Sequence, residues 1–162
     1  MNAQGRIPKV SQYGSVDPAP PAQESIISEL THRLCDESLP MFQRMRAVFA
    51  LRNQRTDDAC LALCSGFSSG SALLRHEIAY VLGQMQNIVA LPSLIERLED
   101  ASEPVMVRHE AAEAMGAIGD RSVIPSLEKY SQDPLPEVAE SCIVALDLLA
   151  WVDGAEFHET EC

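Results

Sequence analysis

The sequence predicts an all-α fold: helical hairpins stacked into a solenoid of about eight helices. Three observations predict it. Apolar residues recur at helical spacing through the middle of the chain, no segment alternates long enough for a strand, and a block of text recurs at an offset of 33 residues. Composition agrees, because 46% hydrophobic residues with 5% aromatics suits an aliphatic helical core rather than a β-sandwich.

Residues 1–23 carry Pro8, Pro18, Pro20 and Pro21 with Gly5 and Gly14 and show no helical period, so they read as a linker. Residues 24–152 read as the repeat domain, and 153–162 as a short acidic tail. Within the domain, Glu24 to Cys35 places Ile26, Ile27, Leu30 and Leu34 on one helical face. Met41 to Arg52 follows with Met45, Val48, Phe49 and Leu51, and then the short apolar stretch Asp57 to Phe67. Helices are expected next over Ala72 to Gln86, Ala90 to Leu98, Val105 to Ile118, Val123 to Tyr130 and Glu137 to Val152. The breaks fall at Ser69-Gly70-Ser71, Pro104, Gly119-Asp120 and Pro134/Pro136.

At the offset of 33, Arg75-His76-Glu77 meets Arg108-His109-Glu110, Gly83 meets Gly116, and Pro92-Ser93-Leu94 meets Pro125-Ser126-Leu127. Weaker copies flank these at an offset of 31: Arg44 to Leu51 against Arg75 to Leu82, and Val138 to Leu146 against Val107 to Met115. One copy is a helix, a turn and a helix, which cannot bury its apolar face alone, so copies stack. The expected array is HEAT-like, with three helix pairs and a single helix at each end.

A formal charge of −12 repels phosphate backbones, so nucleic acid is not an expected partner and a cationic one is. The five cysteines, Cys35, Cys60, Cys64, Cys142 and Cys162, include no Cys-x-x-Cys and read as core thiols of a reducing compartment. No run approaches the ~20 apolar residues of a membrane span, and no signal-like start is seen. A cytoplasmic location is the expectation.

Among the repeat copies, His followed by Glu occurs only in the two middle ones; the flanking copies hold Met45-Arg46 and Glu140-Ser141 there. A structural rule would recur in every copy, whereas a local site recurs only in the copies that line it. Stacked helices lie roughly 8–10 Å apart, so equivalent side chains can converge on one ion. Two imidazoles and a carboxylate suit iron, and also manganese or zinc. His76, His109 and one or both of Glu77 and Glu110 are the expected ligands. Adjacent helical residues point about 100° apart, so one glutamate can bind the ion while the other serves a neighbouring role or meets the substrate. Inheritance of a structural feature by duplication is the competing reading.

Gly83 and Gly116 lie two turns after each histidine, with Ala79 and Ala112 between. Small residues there make a cleft beside the metal or a close helix contact, and spacing leaves both open. Tyr80 and Glu113, four after each histidine, are weak candidates for substrate contact. Arg75 and Arg108 most simply offset carboxylates on an acidic surface. No His-Glu-x-x-His is present, so the pattern is not that of a zincin.

Two blocks carry a family resemblance: Leu74-Arg75-His76-Glu77-Ile78-Ala79-Tyr80-Val81-Leu82-Gly83-Gln84-Met85-Gln86, and Pro104-Val105-Met106-Val107-Arg108-His109-Glu110-Ala111-Ala112-Glu113-Ala114-Met115-Gly116-Ala117-Ile118-Gly119. From about Tyr13 to Trp151 the chain resembles the deoxyhypusine hydroxylases, and in particular their C-terminal half. The resemblance implies a HEAT-repeat monooxygenase with Fe(2+), two per complete site, shared between two halves. It implies hydroxylation of the deoxyhypusine side chain of translation factor 5A by molecular oxygen. It also implies ligand roles for His76, Glu77, His109 and Glu110, and catalytic roles for Glu77 and Glu110. This chain holds half of that ligand set, so its partner is a missing N-terminal half or a second copy. The alternative functions are a non-catalytic HEAT-repeat scaffold and a bilin-lyase-like protein, since solenoids are most often binding surfaces.

Overall fold

The computed structural model describes residues 17–159, with side chains to residue 154. Eight α-helices and no strands are present among the described residues: α1 Ile27–Cys35, α2 Met41–Gln54, α3 Asp57–Ser65, α4 Ala72–Met85, α5 Leu91–Glu99, α6 Val105–Ile118, α7 Ile124–Tyr130 and α8 Pro136–Glu159. Single 3₁₀ turns at Gly66–Ser68, Ile88–Ala90 and Arg121–Val123 lead out of α3 and into α5 and α7.

Local chemistry sets the helix ends. Thr56 and Ser71 accept the Ala59 and Leu74 amides through their hydroxyls, capping α3 and α4. Pro40 and Pro104 stand immediately before α2 and α6, where an extended backbone enters the first turn. Pro92 and Pro125 occupy the first turns of α5 and α7, which have no hydrogen bond to lose there. Gly119 takes a left-handed φ of +82° that ends α6. Arg55 and Gln86 do the same after α2 and α4 without being glycine.

Helices α2, α4, α6 and α8 pack successively as one layer, and α1, α3, α5 and α7 cover them as the other. Between the layers lie Leu30, Leu34, Phe49, Leu51, Leu63, Leu74, Ile78, Leu82, Leu94, Leu98, Met115 and Leu127, all fully buried. The hairpins are phased differently from the sequence expectation. Helix α1 packs on α2, α5 on α6 and α7 on α8, while α4 makes no substantial contact with α5, nor α6 with α7. Among the described residues α1–α2, α5–α6 and α7–α8 are thus the hairpin pairs, while α3 packs on both α2 and α4. A repeat period is indifferent to where each unit starts, and packing alone chooses the phase.

The arginine before each histidine has a role that spacing did not show. Arg108, 3% exposed, donates from Nε to the Leu98 carbonyl at 2.9 Å and from its guanidinium to Asp133 at 2.6 Å. Arg44, 2% exposed, repeats this with the Leu34 carbonyl and Glu37, both at 2.9 Å. Arg75 reaches the Ser69 carbonyl at 2.6 Å and Glu103 at 2.7 Å. Arg44 and Arg108 thus staple each inner helix to the unpaired C-terminal carbonyls of its outer partner. They belong to the core, and the expectation of an acidic surface gives way to this geometry.

Of the segment 1–23, residues 1–16 lie outside the described residues. Residues 17–22 run along α2: Ala19 is buried, Ala22 donates to the Arg46 carbonyl at 3.0 Å, and Asp17 pairs with Arg52 at 2.6 Å. At the other end α8 buries Val138, Cys142, Ala145 and Leu149 while Ile143, Val144, Leu148 and Trp151 remain exposed.

Candidate metal centre

His76 lies on α4 and His109 on α6, the two neighbouring helices of the inner layer. Their ring centroids are 5.8 Å apart. Glu110 completes the group: its Oε2 is 3.2 Å from His76 Nε2. One ligand atom from each of His76, His109 and Glu110 falls within 4.8 Å of the others. Two imidazoles and one carboxylate, from two helices, thus face one point.

The group has the environment of a binding site. Both histidine side chains are about a quarter exposed, at 25% and 29%, so an ion can reach them, while Glu110 is buried. Burial pushes the Glu110 carboxyl up to about 7, and the nearby charges of Glu113 and Glu77 add to the rise against the opposing effect of His109. Burial also raises Glu77; His76 lowers it, Asp17 raises it and Arg52 lowers it. The site therefore holds two buried carboxylates, each costly to ionise unless a cation lies beside it. Among the described residues, His76 Nδ1 is the one buried side-chain nitrogen or oxygen without a hydrogen-bond partner. Leaving such an atom unsatisfied costs about 1–3 kcal/mol. The donor chemistry and the buried carboxylate fit a divalent metal ion held by His76, His109 and Glu110.

Of the expected ligands, Glu77 stands apart. It is buried and close enough to couple electrically to His76 and Glu110, but it is not in the converging group. The alternation of helical directions separates it from its neighbour His76, and α6 carries Glu110 in beside His76 instead.

Tyr80, Gly83, Gln84, Glu110, Glu113, Ala114 and Ala117 line a groove of about 250 Å³ between α4 and α6. Tyr80 is 44% exposed along it. The two glycines also serve the stack. A Cβ on Gly83 would lie 3.0 Å from Ala114 Cα, and one on Gly116 would lie 2.8 Å from Ala145 Cβ. Each lets the next inner helix approach closely, and Gly83 borders the groove as well.

Two features of the site escaped the sequence. Asp17 and Arg52 lie near enough to bias Glu77, although they stand 60 and 25 residues before it. Ser141, on α8, donates to Glu113 Oε1 at 3.1 Å. Only Ser141 left a trace in the text: it occupies the position equivalent to Glu110 in the next copy.

Comparison with known proteins agrees with this architecture. A family model described as HEAT repeats matches residues 63–147. The chain is 53% identical over 158 residues to deoxyhypusine hydroxylase of Gallus gallus, covering 98% of this chain and 53% of that protein. It is 52% identical to that of Danio rerio over 146 residues, covering 90% and 48%. The solved structure of human deoxyhypusine hydroxylase in complex with glycerol superposes with a TM-score of 0.83 at 49% identity, covering 91% of this chain and 51% of that one. The chain spans about half the length of the curated relatives it matches. By sequence and by structure, the chain belongs to the HEAT-repeat family and is similar to one half of the deoxyhypusine hydroxylases.

Proposed function

We propose that this chain carries one half of the iron site of a deoxyhypusine hydroxylase, which hydroxylates the deoxyhypusine side chain of translation factor 5A with molecular oxygen. The observation that carries the reading is the convergence of His76, His109 and Glu110 on one point between α4 and α6. The half-length similarity to enzymes of that name supports it over a scaffold or a bilin-lyase-like role.

In this reading His76, His109 and Glu110 hold one Fe(2+). Bound iron supplies the activation of oxygen. Glu77 takes the second role that two adjacent residues on a helix require. Buried and uncommitted to the converging group, it receives the cationic substrate side chain. A protonated amine facing Glu77 would offset the cost of ionising a carboxylate that burial raises. The acidic balance of the chain, −12, draws a polycationic side chain to this face.

His76, His109 and Glu110 would supply half of a complete ligand set. The second iron and the cover for the site come from another half-length module, either the missing N-terminal half or a second copy. The exposed apolar residues of α8, with Val144 beside His109 in one pocket, offer that module a surface. Cytoplasmic action is part of the same proposal and suits the free thiols Cys35, Cys60, Cys64 and Cys142.

The test is anaerobic addition of ferrous iron to metal-free protein, with the bound iron counted. One iron per chain, lost in His76→Ala and in His109→Ala, is expected; equal binding by the variants overturns the ligand assignment. Sedimentation with and without iron reports pairing of two copies. Mixing with a separately expressed N-terminal half is expected to restore hydroxylation of a deoxyhypusine-bearing substrate.

A further inference from the structure

The two histidines of the site are not equivalent. His76 Nδ1 is buried with no partner, and the residue one turn on is Tyr80. His109 Nδ1 faces Glu113, one turn on along α6, with Oε1 at 3.5 Å. The same Oε1 accepts the Ser141 hydroxyl at 3.1 Å. Ser141 comes from α8 and is 7% exposed, so its hydroxyl is held by the packing of α8 on α6. The three side chains form a line from the last inner helix to the face of the metal site.

We infer that Glu113, held in place by Ser141, is a positioning residue that keeps His109 in its Nδ1–H form with Nε2 turned out as the donor. The inference rests on the iron reading above and extends it to residues that touch no ligand. The chemistry gives such a group a use. A neutral imidazole offers one lone pair, and the nitrogen that binds a metal must be the unprotonated one. A carboxylate at the other nitrogen fixes that choice, orients the ring and raises its basicity. Glu113 has a free lone pair on the oxygen nearest Nδ1, and a small side-chain adjustment brings 3.5 Å to hydrogen-bond length. Such contacts are commonly long before a ligand is bound and shorten with it. His76 has no equivalent brace, so the two ligands should differ in tautomer and in what their loss of support costs. Glu113 also lines a groove that a substrate could enter, and contact with substrate alone is the rival role.

The test has two readouts on the full chain. Long-range proton–nitrogen NMR of the metal-free protein reports the tautomer of each ring. Cobalt(II) titration followed by its visible absorption reports the donor set without turnover. His109 is expected in the Nδ1–H form in the parent. Glu113→Ala should convert it to a tautomer mixture and weaken cobalt binding by about 10–100-fold. Glu113→Gln keeps an accepting oxygen and should recover most of both. Ser141→Ala should give a smaller shift in the same direction, and it also serves if Glu113→Ala folds poorly. A His109 tautomer and cobalt affinity unchanged in Glu113→Ala and Ser141→Ala overturn the inference. It is equally overturned if only the affinity for a polyamine probe such as spermidine falls. If the parent itself binds no cobalt, the iron reading fails, and the tautomer alone then decides the positioning role.

Discussion

His76 Nε2 on α4 lies 3.2 Å from Glu110 Oε2 on α6, so the carboxylate that serves His76 comes from the next repeat and not from its sequence neighbour Glu77. This cross-repeat pairing divides the roles of two glutamates that look identical in the text.

Glu110 and Glu77 should therefore respond differently to neutralisation. If Glu110 is a ligand as proposed, Glu110→Gln is expected to weaken ferrous or cobaltous binding by about 100-fold or more, beyond the 10–100-fold typical of an outer partner. Glu77→Gln should change metal affinity by less than about tenfold, which is 1.4 kcal/mol, and should impair hydroxylation in the reconstituted enzyme. Calorimetric titration of the two variants makes the comparison. Equal losses would return both glutamates to the ligand set.

The raised Glu110 carboxyl ties stability of the metal-free protein to pH. Its folded value, about 7, exceeds the ordinary 4.5. Below 4.5 the group is protonated whether folded or unfolded and has no effect. Between 4.5 and 7 the unfolded chain releases a proton that the folded state keeps, so stability falls across that window and the loss is complete above 7. Glu110→Gln should therefore stabilise the metal-free protein at pH 8, on the order of 1 kcal/mol after allowance for solvent screening. That gain is expected to vanish near pH 4.5 and to reverse when iron is present. Thermal melts at the two pH values decide it.

Gly116 and Ala145 set the spacing of α6 and α8. A methyl group at 116 would meet Ala145 Cβ at 2.8 Å and its Cα at 2.9 Å. Gly116→Ala gains about 1 kcal/mol of helix propensity but forces apart two packed helices at a cost of about 1–3 kcal/mol. A net fall in melting temperature is expected. A rise would mean that α8 moves freely against α6.

Arg108 and Asp133 are 3% and 5% exposed and pair at 2.6 Å. Arg108→Ala strands that carboxylate and the Leu98 carbonyl, and should cost about 3–5 kcal/mol in denaturant unfolding. The surface pair of Arg121 and Asp153, with side chains 68% and 48% exposed, should cost no more than about 1 kcal/mol when broken. The contrast between the two variants checks that the arginine staple is a core feature.

The sequence by itself determined that the chain is helical and repetitive, and it singled out the two triplets. Leu30, Leu34, Ile78 and Leu82 recur at a helical period because each helix buries one face, and that constraint is local. The two Arg-His-Glu triplets were visible because adjacent repeats place equivalent residues at equivalent heights, so an offset of 33 becomes proximity in space. Tertiary structure decided what depends on direction rather than spacing. It paired α5 with α6 rather than with α4, because a period has no phase. It buried Arg44 and Arg108 against carbonyls that no side-chain pattern records. It brought Glu110, and not Glu77, to His76, and set Ser141 behind Glu113, because the rotation of one helix against the next settles which of two adjacent side chains faces inward. The triplets therefore named the site, and the packing of α4, α6 and α8 assigned each residue its place in it.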